Sequence, residues 1–122
     1  MTRRTTSLSN RRTLRATVDV LRILAPPSDG RRVLVRVVKN LPPDRIGDCD
    51  QKGVAGPLGH YLIRLSAQVI DHQPDACAHL LAHEWAHALA WENLTHDHGE
   101  AWGMAFARAW RIISNELSTG DM

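Results

Sequence analysis

At 122 residues and 13.6 kDa the chain has the size of a single domain with one hydrophobic core. Hydrophobic residues make up 43% and charged residues 23%, which argues against disordered, collagen-like and coiled-coil classes, and no apolar stretch approaches the roughly 20 residues of a membrane span. The net charge of +2 conceals a polarity: residues 1–45 carry eleven basic against three acidic side chains, +8, and the remainder four basic against ten acidic, −6. Such an asymmetry fits a polyanion such as DNA held by the basic N-terminal part. A solvated helix face is the plainer reading, because the arginines lack interleaved aromatics that would stack on bases.

Residues 1–8 are polar and are expected to be flexible. Ser9 or Asn10 can cap a helix whose apolar positions Leu14, Val18, Leu21 and Leu24 or Ala25 follow helical spacing, and Pro26 and Pro27 end it. Arg15, Asp19 and Arg22 interrupt this segment, so it is no signal-peptide core and a cytoplasmic location is expected. A turn at Ser28, Asp29 and Gly30 leads into residues 33–38, a β-branched run that reads as a buried strand. Residues 40–59 are dense in Gly, Pro and Asp and predict a long excursion or an irregular hairpin. Residues 61–69 alternate, with Tyr61, Ile63, Leu65, Ala67 and Val69 on the apolar side of a half-exposed strand.

Pro74 and Asp75 open a second long helix, expected to reach about Glu92, whose buried face is Ala78, Leu81, Trp85, Ala88 and Leu89. After a loop through residues 93–99, a last helix from about Glu100 to Leu117 carries Trp102, Phe106, Trp110 and Ile113 on one stripe, expected to be core. This order of elements predicts an α+β fold: one domain over residues 1–122, with a small, mainly antiparallel sheet packed against helices. Cys49 and Cys77 are too few for a disulfide framework or a four-cysteine zinc ribbon, and read as small buried hydrophobes able to form one bridge at most.

The chemistry is carried by histidine. Five of the seven histidines, His79, His83, His87, His96 and His98, fall within twenty positions. His83-Glu84-Trp85-Ala86-His87 is an H-E-x-x-H motif within the second long helix, where the i and i+4 imidazoles stand about 6 Å apart along one face and can reach one metal ion. Glu84, at the border of that face, can take a proton from a water that the metal activates. Zinc, one ion per chain, is the expected metal, and a catalytic zinc needs a third protein ligand. The metzincin pattern is excluded, since positions 90 and 93 are Ala90 and Asn93 rather than glycine and histidine. The third ligand then comes from the segment His96-Asp97-His98-Gly99, where both His98 and His96 are candidates.

H-E-W-A-H, ten intervening residues and His98-Gly99-x-x-Trp102 together resemble the SprT-like zinc metalloproteases, in particular the small bacterial and phage members with a minimal, zincin-like catalytic core. The match covers roughly residues 60–115. It implies that His83, His87 and His98 hold the metal and that Glu84 is the general base. No cysteine pairs follow the last helix, so the zinc-ribbon tail of some members is not expected, nor are the additional DNA- or partner-binding regions of eukaryotic members.

Other residues take lesser roles. His79, one turn before His83, is expected to rim the cleft or support a ligand, and Trp91 to wall the site. Tyr61 can polarise a carbonyl, although its apolar-side placement favours the core. Asp97 can fix a histidine tautomer, and His60 and His72 are read as surface. The expected reaction is zinc-assisted hydrolysis of a peptide bond, with substrate paired along the strand at residues 61–66. Two alternatives stand beside it: a nucleic-acid-binding module with a structural or vestigial zinc, and a zinc hydrolase of a non-protein amide such as a cell-wall peptide.

Overall fold

The structure, a computed structural model, describes residues 11–91 and 98–119. In chain order the elements are α1 (Arg11–Leu24), β1 (Arg32–Val38), β2 (Gly47–Lys52), β3 (His60–Ser66), α2 (Ala67–His72), α3 (Pro74–Leu89) and α4 (Glu100–Thr119). Among the described residues, no helix is long and apolar enough to cross a membrane.

The sheet has the order β1-β3-β2. β3 pairs with β1 in parallel, Val33 opposite Tyr61 and Val35 opposite Ile63, and with β2 antiparallel, Cys49 opposite Ile63. The sheet is therefore mixed, not mainly antiparallel. The excursion after β1 carries β2 and returns the chain between β2 and β1, so β3 runs in the same direction as β1. It also follows that β3 has both edges occupied and cannot pair with a substrate strand; among the described residues the edge strands are β1 and β2.

Alternation along β3 is as the sequence implies: Tyr61, Ile63 and Leu65 are buried and His60, Leu62, Arg64 and Ser66 half-exposed. The strand stops at Ser66, however, and residues 67–72 are helical. Ala67 and Val69 are spaced two apart, which prolongs a strand pattern on paper, but α2 buries Ala67, Val69 and Ile70 together. Gln73 then ends α2 and precedes α3, whose first turn holds Pro74, a residue whose missing N–H costs nothing there.

The helices cover the sheet face that carries Val33, Tyr61, Ile63 and Leu65. α1 contributes Leu14, Val18 and Leu21, α3 contributes Ala78, Leu81, Trp85 and Ala88, and α4 contributes Ala109, Ile113 and Leu117. Trp85 is completely buried, and its indole Nε1 donates to the carbonyl of Ala25 at 2.9 Å, joining the middle of α3 to the end of α1. Both cysteines are free thiols; Cys77 is fully buried and burial pushes its pKa up to about 11. Cys49, half-buried on β2, is raised further by burial and by the nearby negative charge of Glu84.

A polar cluster locks the turn before β1 onto β3. The Tyr61 hydroxyl donates to Asp29 Oδ2 at 2.7 Å, and Asp29 also pairs with the Arg31 guanidinium and accepts from the Arg31 backbone N–H at 3.0 Å. Gln51, with its amide oxygen turned to the donors around it, accepts from Arg31 Nη1 at 3.1 Å and Trp91 Nε1 at 3.3 Å. Gly59 closes the same region, since a Cβ there would meet the Val54 carbonyl oxygen at 1.9 Å.

Burial works to raise the Asp29 pKa, but the hydrogen bonds from Tyr61 and Arg31 outweigh it and hold the carboxyl below its usual value. A depressed folded-state pKa stabilises above the unfolded value near 4, and that stabilisation is lost as pH falls through the folded value. Asp29→Asn is expected to lower stability at pH 7, by weakening the pairing of Arg31, and to flatten the loss below about pH 4. Urea unfolding of both proteins across pH 2–7 measures it.

Candidate metal centre

α3 is buried on most of its circumference, and the rotation that buries Leu81, Trp85 and Ala88 leaves His79, His83 and His87 as a less buried column on the outer side. His83 and His87 are half-buried, with ring centroids 4.8 Å apart. His98, exposed and two residues before α4, completes a near-equilateral cluster, 5.0 Å from the His83 ring and 4.9 Å from the His87 ring. One nitrogen from each of the three lies within 4.8 Å of the other two. Nε2 of His98 is 3.1 Å from Nε2 of His83. Two nitrogens bound tetrahedrally at about 2.05 Å stand roughly 3.3 Å apart, so the spacing suits one shared divalent cation. His96 and Asp97 lie outside the described residues.

Glu84 is 5% exposed, and its Oε2 is 3.2 Å from His83 Nδ1. A carboxylate in that position fixes the ring and its tautomer, leaving Nε2 of His83 to face the cluster. Glu84 also borders a cleft of about 760 Å³ between α3 and residues 43–47, the segment that leads into β2, and His83 lines the same end. A base candidate, a ligand candidate and an open cavity therefore meet at one point.

The aromatic stripe of α4 meets expectation only in part. Ile113 is core and the half-buried Phe106 and Trp110 pack against the core, whereas the half-buried Trp102 does not belong to it. Trp102 sits against all three histidines, 5.1 Å from His83, 5.9 Å from His87 and 4.7 Å from His98, and its Nε1 donates to the His83 carbonyl at 3.3 Å. Phe106 and Trp110 flank His79 at 5.1 and 5.8 Å. Spacing of four residues along α3 matches spacing of four along α4, and the two columns zip together. That match of periods, 79-83-87 against 102-106-110, was the available signal in the sequence for Trp102.

His79 is exposed and lines the cleft as expected of a rim residue. Trp91 instead packs its ring on Tyr61 at 5.6 Å, and Tyr61 is 1% exposed with its hydroxyl committed to Asp29, so it belongs to the core. His72 is exposed and His60 half-exposed on the outer sheet face.

The chain belongs to the SprT-like family, whose family model matches residues 10–118. The name accords with the zinc metalloprotease assignment that the two motifs suggested. No curated protein and no solved structure matches it.

The cluster geometry makes a direct prediction. Purified protein should hold one divalent ion per chain, His83→Ala, His87→Ala and His98→Ala should each lose it, and His96→Ala should retain it. Elemental analysis at matched protein concentration reads the result; loss with His96→Ala and retention with His98→Ala would reassign the third ligand.

Proposed function

We propose that the chain is a zinc metallopeptidase, with His83, His87 and His98 as ligands and Glu84 as general base. The observation that carries the reading is the convergence of three imidazole nitrogens within 4.8 Å beside a carboxylate at the end of a cleft. Three neutral nitrogen donors suit zinc and leave a fourth position for a reacting group. Bound there, the ion supplies Lewis acidity, polarising a carbonyl and lowering the pKa of a water.

The chain's own residues do the rest. Glu84 accepts the proton of the attacking water and returns it to the leaving nitrogen, a role suited to a carboxylate that is buried, held by His83 and set at the border of the cleft. Trp102, packed on the three rings, shields them from water on one side and holds the His83 turn through its indole N–H. Substrate backbone is docked on the edge of β2, the strand that flanks α3, which replaces β3 in that role.

Glu84→Gln tests the role of the base. Metal content is expected to be unchanged while hydrolysis of an unfolded protein substrate falls by about 10²–10⁴-fold. Retained turnover would remove Glu84 from the reaction.

A second activity has its own observation. Arg12, Arg15, Arg32 and Arg36 are exposed and, among the described residues, form no ion pair, and Arg15 lines a groove of about 480 Å³ between α1 and β1. These free cations around β1 support a nucleic-acid contact at the edge of the sheet opposite β2. Arg15→Ala with Arg36→Ala should weaken binding to a DNA duplex and reduce the slope of log affinity against log salt by about 2. An unchanged slope, measured by fluorescence anisotropy, would reduce this surface to a solvated edge.

A further inference from the structure

The cleft beside Glu84 has a composition that differs from the rest of the surface. On the α3 side it presents Ala76, His79 and Leu80, and on the other side Ile46, which is 55% exposed although it is a large apolar residue. His79 is backed by Phe106 and Trp110, so the imidazole offers an aromatic surface. The charges at the rim are already matched: Arg45 reaches Asp44 at 3.5 Å and Asp48 at 3.4 Å, and Asp48 is also bound by Arg64. The cleft is closed firmly at its base, where a Cβ on Gly47 would meet Leu80 Cδ1 at 2.9 Å and the Arg64 carbonyl oxygen at 3.2 Å.

Length and direction matter as much as lining. From Ala76 to Glu84 the helix rises roughly 12 Å, enough to run beside three or four residues of extended chain. The cavity holds about 760 Å³ and ends at His83 and Glu84. A polypeptide whose reacting bond lies at that end must therefore lay neighbouring side chains against Ile46, Leu80 and His79. Burying an apolar side chain there gains roughly 25 cal/mol per Å², whereas a carboxylate would lose its hydration and find no free cation among these walls.

We propose that this cleft is the specificity subsite of the enzyme, selecting a bulky apolar side chain within a few residues of the bond that is cut. The inference rests on the hydrolase reading for its meaning but concerns a distinct set of residues, Ile46, Leu80 and His79. It defines the substrate class as extended polypeptide with exposed apolar side chains, the kind offered by unfolded or partly unfolded proteins. Ile46 and His79 set the preference, while Leu80, which is 7% exposed, serves also as core.

Binding tests it without relying on turnover. Two fluorescein-labelled octapeptides that differ by one central residue, Leu or Asp, are titrated with the zinc-loaded Glu84→Gln protein and followed by anisotropy. The Leu peptide is expected to bind at least tenfold more tightly, and Ile46→Asp to reduce that ratio below about threefold. Circular dichroism verifies that the Ile46 variant folds, and His79→Ala provides a second variant at an exposed position. Equal binding of the two peptides, no binding of either, or an intact preference in both variants would overturn the subsite. Cleavage of casein by the wild-type protein is scored separately. A Leu preference without cleavage upholds the subsite and removes the hydrolase, and cleavage without a preference does the reverse.

Discussion

The position of the candidate metal ligands is decided on the side of α3 that they do not occupy. Trp85 lies between His83 and His87 in sequence and points the other way, fully buried, with its indole N–H fixed on the Ala25 carbonyl. A helix has one rotational freedom about its axis, and a large side chain locked in the core removes it. Once Trp85, Leu81 and Ala78 are seated, the two imidazoles four residues apart have nowhere to face but outward, towards α4. Precision at the site is thus inherited from hydrophobic packing, which supplies far more free energy than any contact among the histidines themselves.

α4 answers with a column of its own. Trp102, Phe106 and Trp110 lie against the histidine column, so that each imidazole of α3 meets aromatic surface and His98 arrives at the end of the row. The histidines are held by flat, rigid rings with few rotamers, and little conformational entropy remains to be lost when they converge on an ion. Glu84 is held differently, buried against the sheet side and hydrogen-bonded to His83. It therefore stands at the boundary between the packed interior and the cleft.

Legibility in the sequence followed the range of the interactions. α1, the apolar face of α3 and the alternation of β3 are local periodicities, and they could be read from Leu14 and Val18, from Leu81 and Trp85, and from Tyr61 and Ile63. The H-E-x-x-H spacing is local as well, and so is the H-G-x-x-W segment that brings His98. The parallel pairing of β1 with β3 was not readable, because it depends on where the excursion after β1 sends the chain, and β2 itself, Gly-Asp-Cys-Asp-Gln-Lys, has little strand signature. α2 was hidden because Ala67 and Val69 satisfy a strand period as well as a helix. The role of Trp102 is hidden because a stripe of large rings on a helix reads the same whether it meets leucines or imidazoles. The partner of Trp91 is hidden for a similar reason: one turn beyond His87 is near the site in sequence, but the helix ends at Leu89 and the ring packs on Tyr61.

Two of the histidines lie in α3 and the third just before α4, with ten residues between His87 and His98, and this gives an ion bound there a mechanical role. Coordination would tie the last turn of α3 to the approach to α4 like a clasp, removing freedom that only the unfolded chain possesses. At a free metal concentration a thousand times its dissociation constant, such a clasp adds about 4 kcal/mol to folding, a large fraction of the total for a domain this small. Metal supply would then govern not only the chemistry at the cleft but also how long the folded chain persists among cellular proteases, coupling the lifetime of the protein to its loaded state.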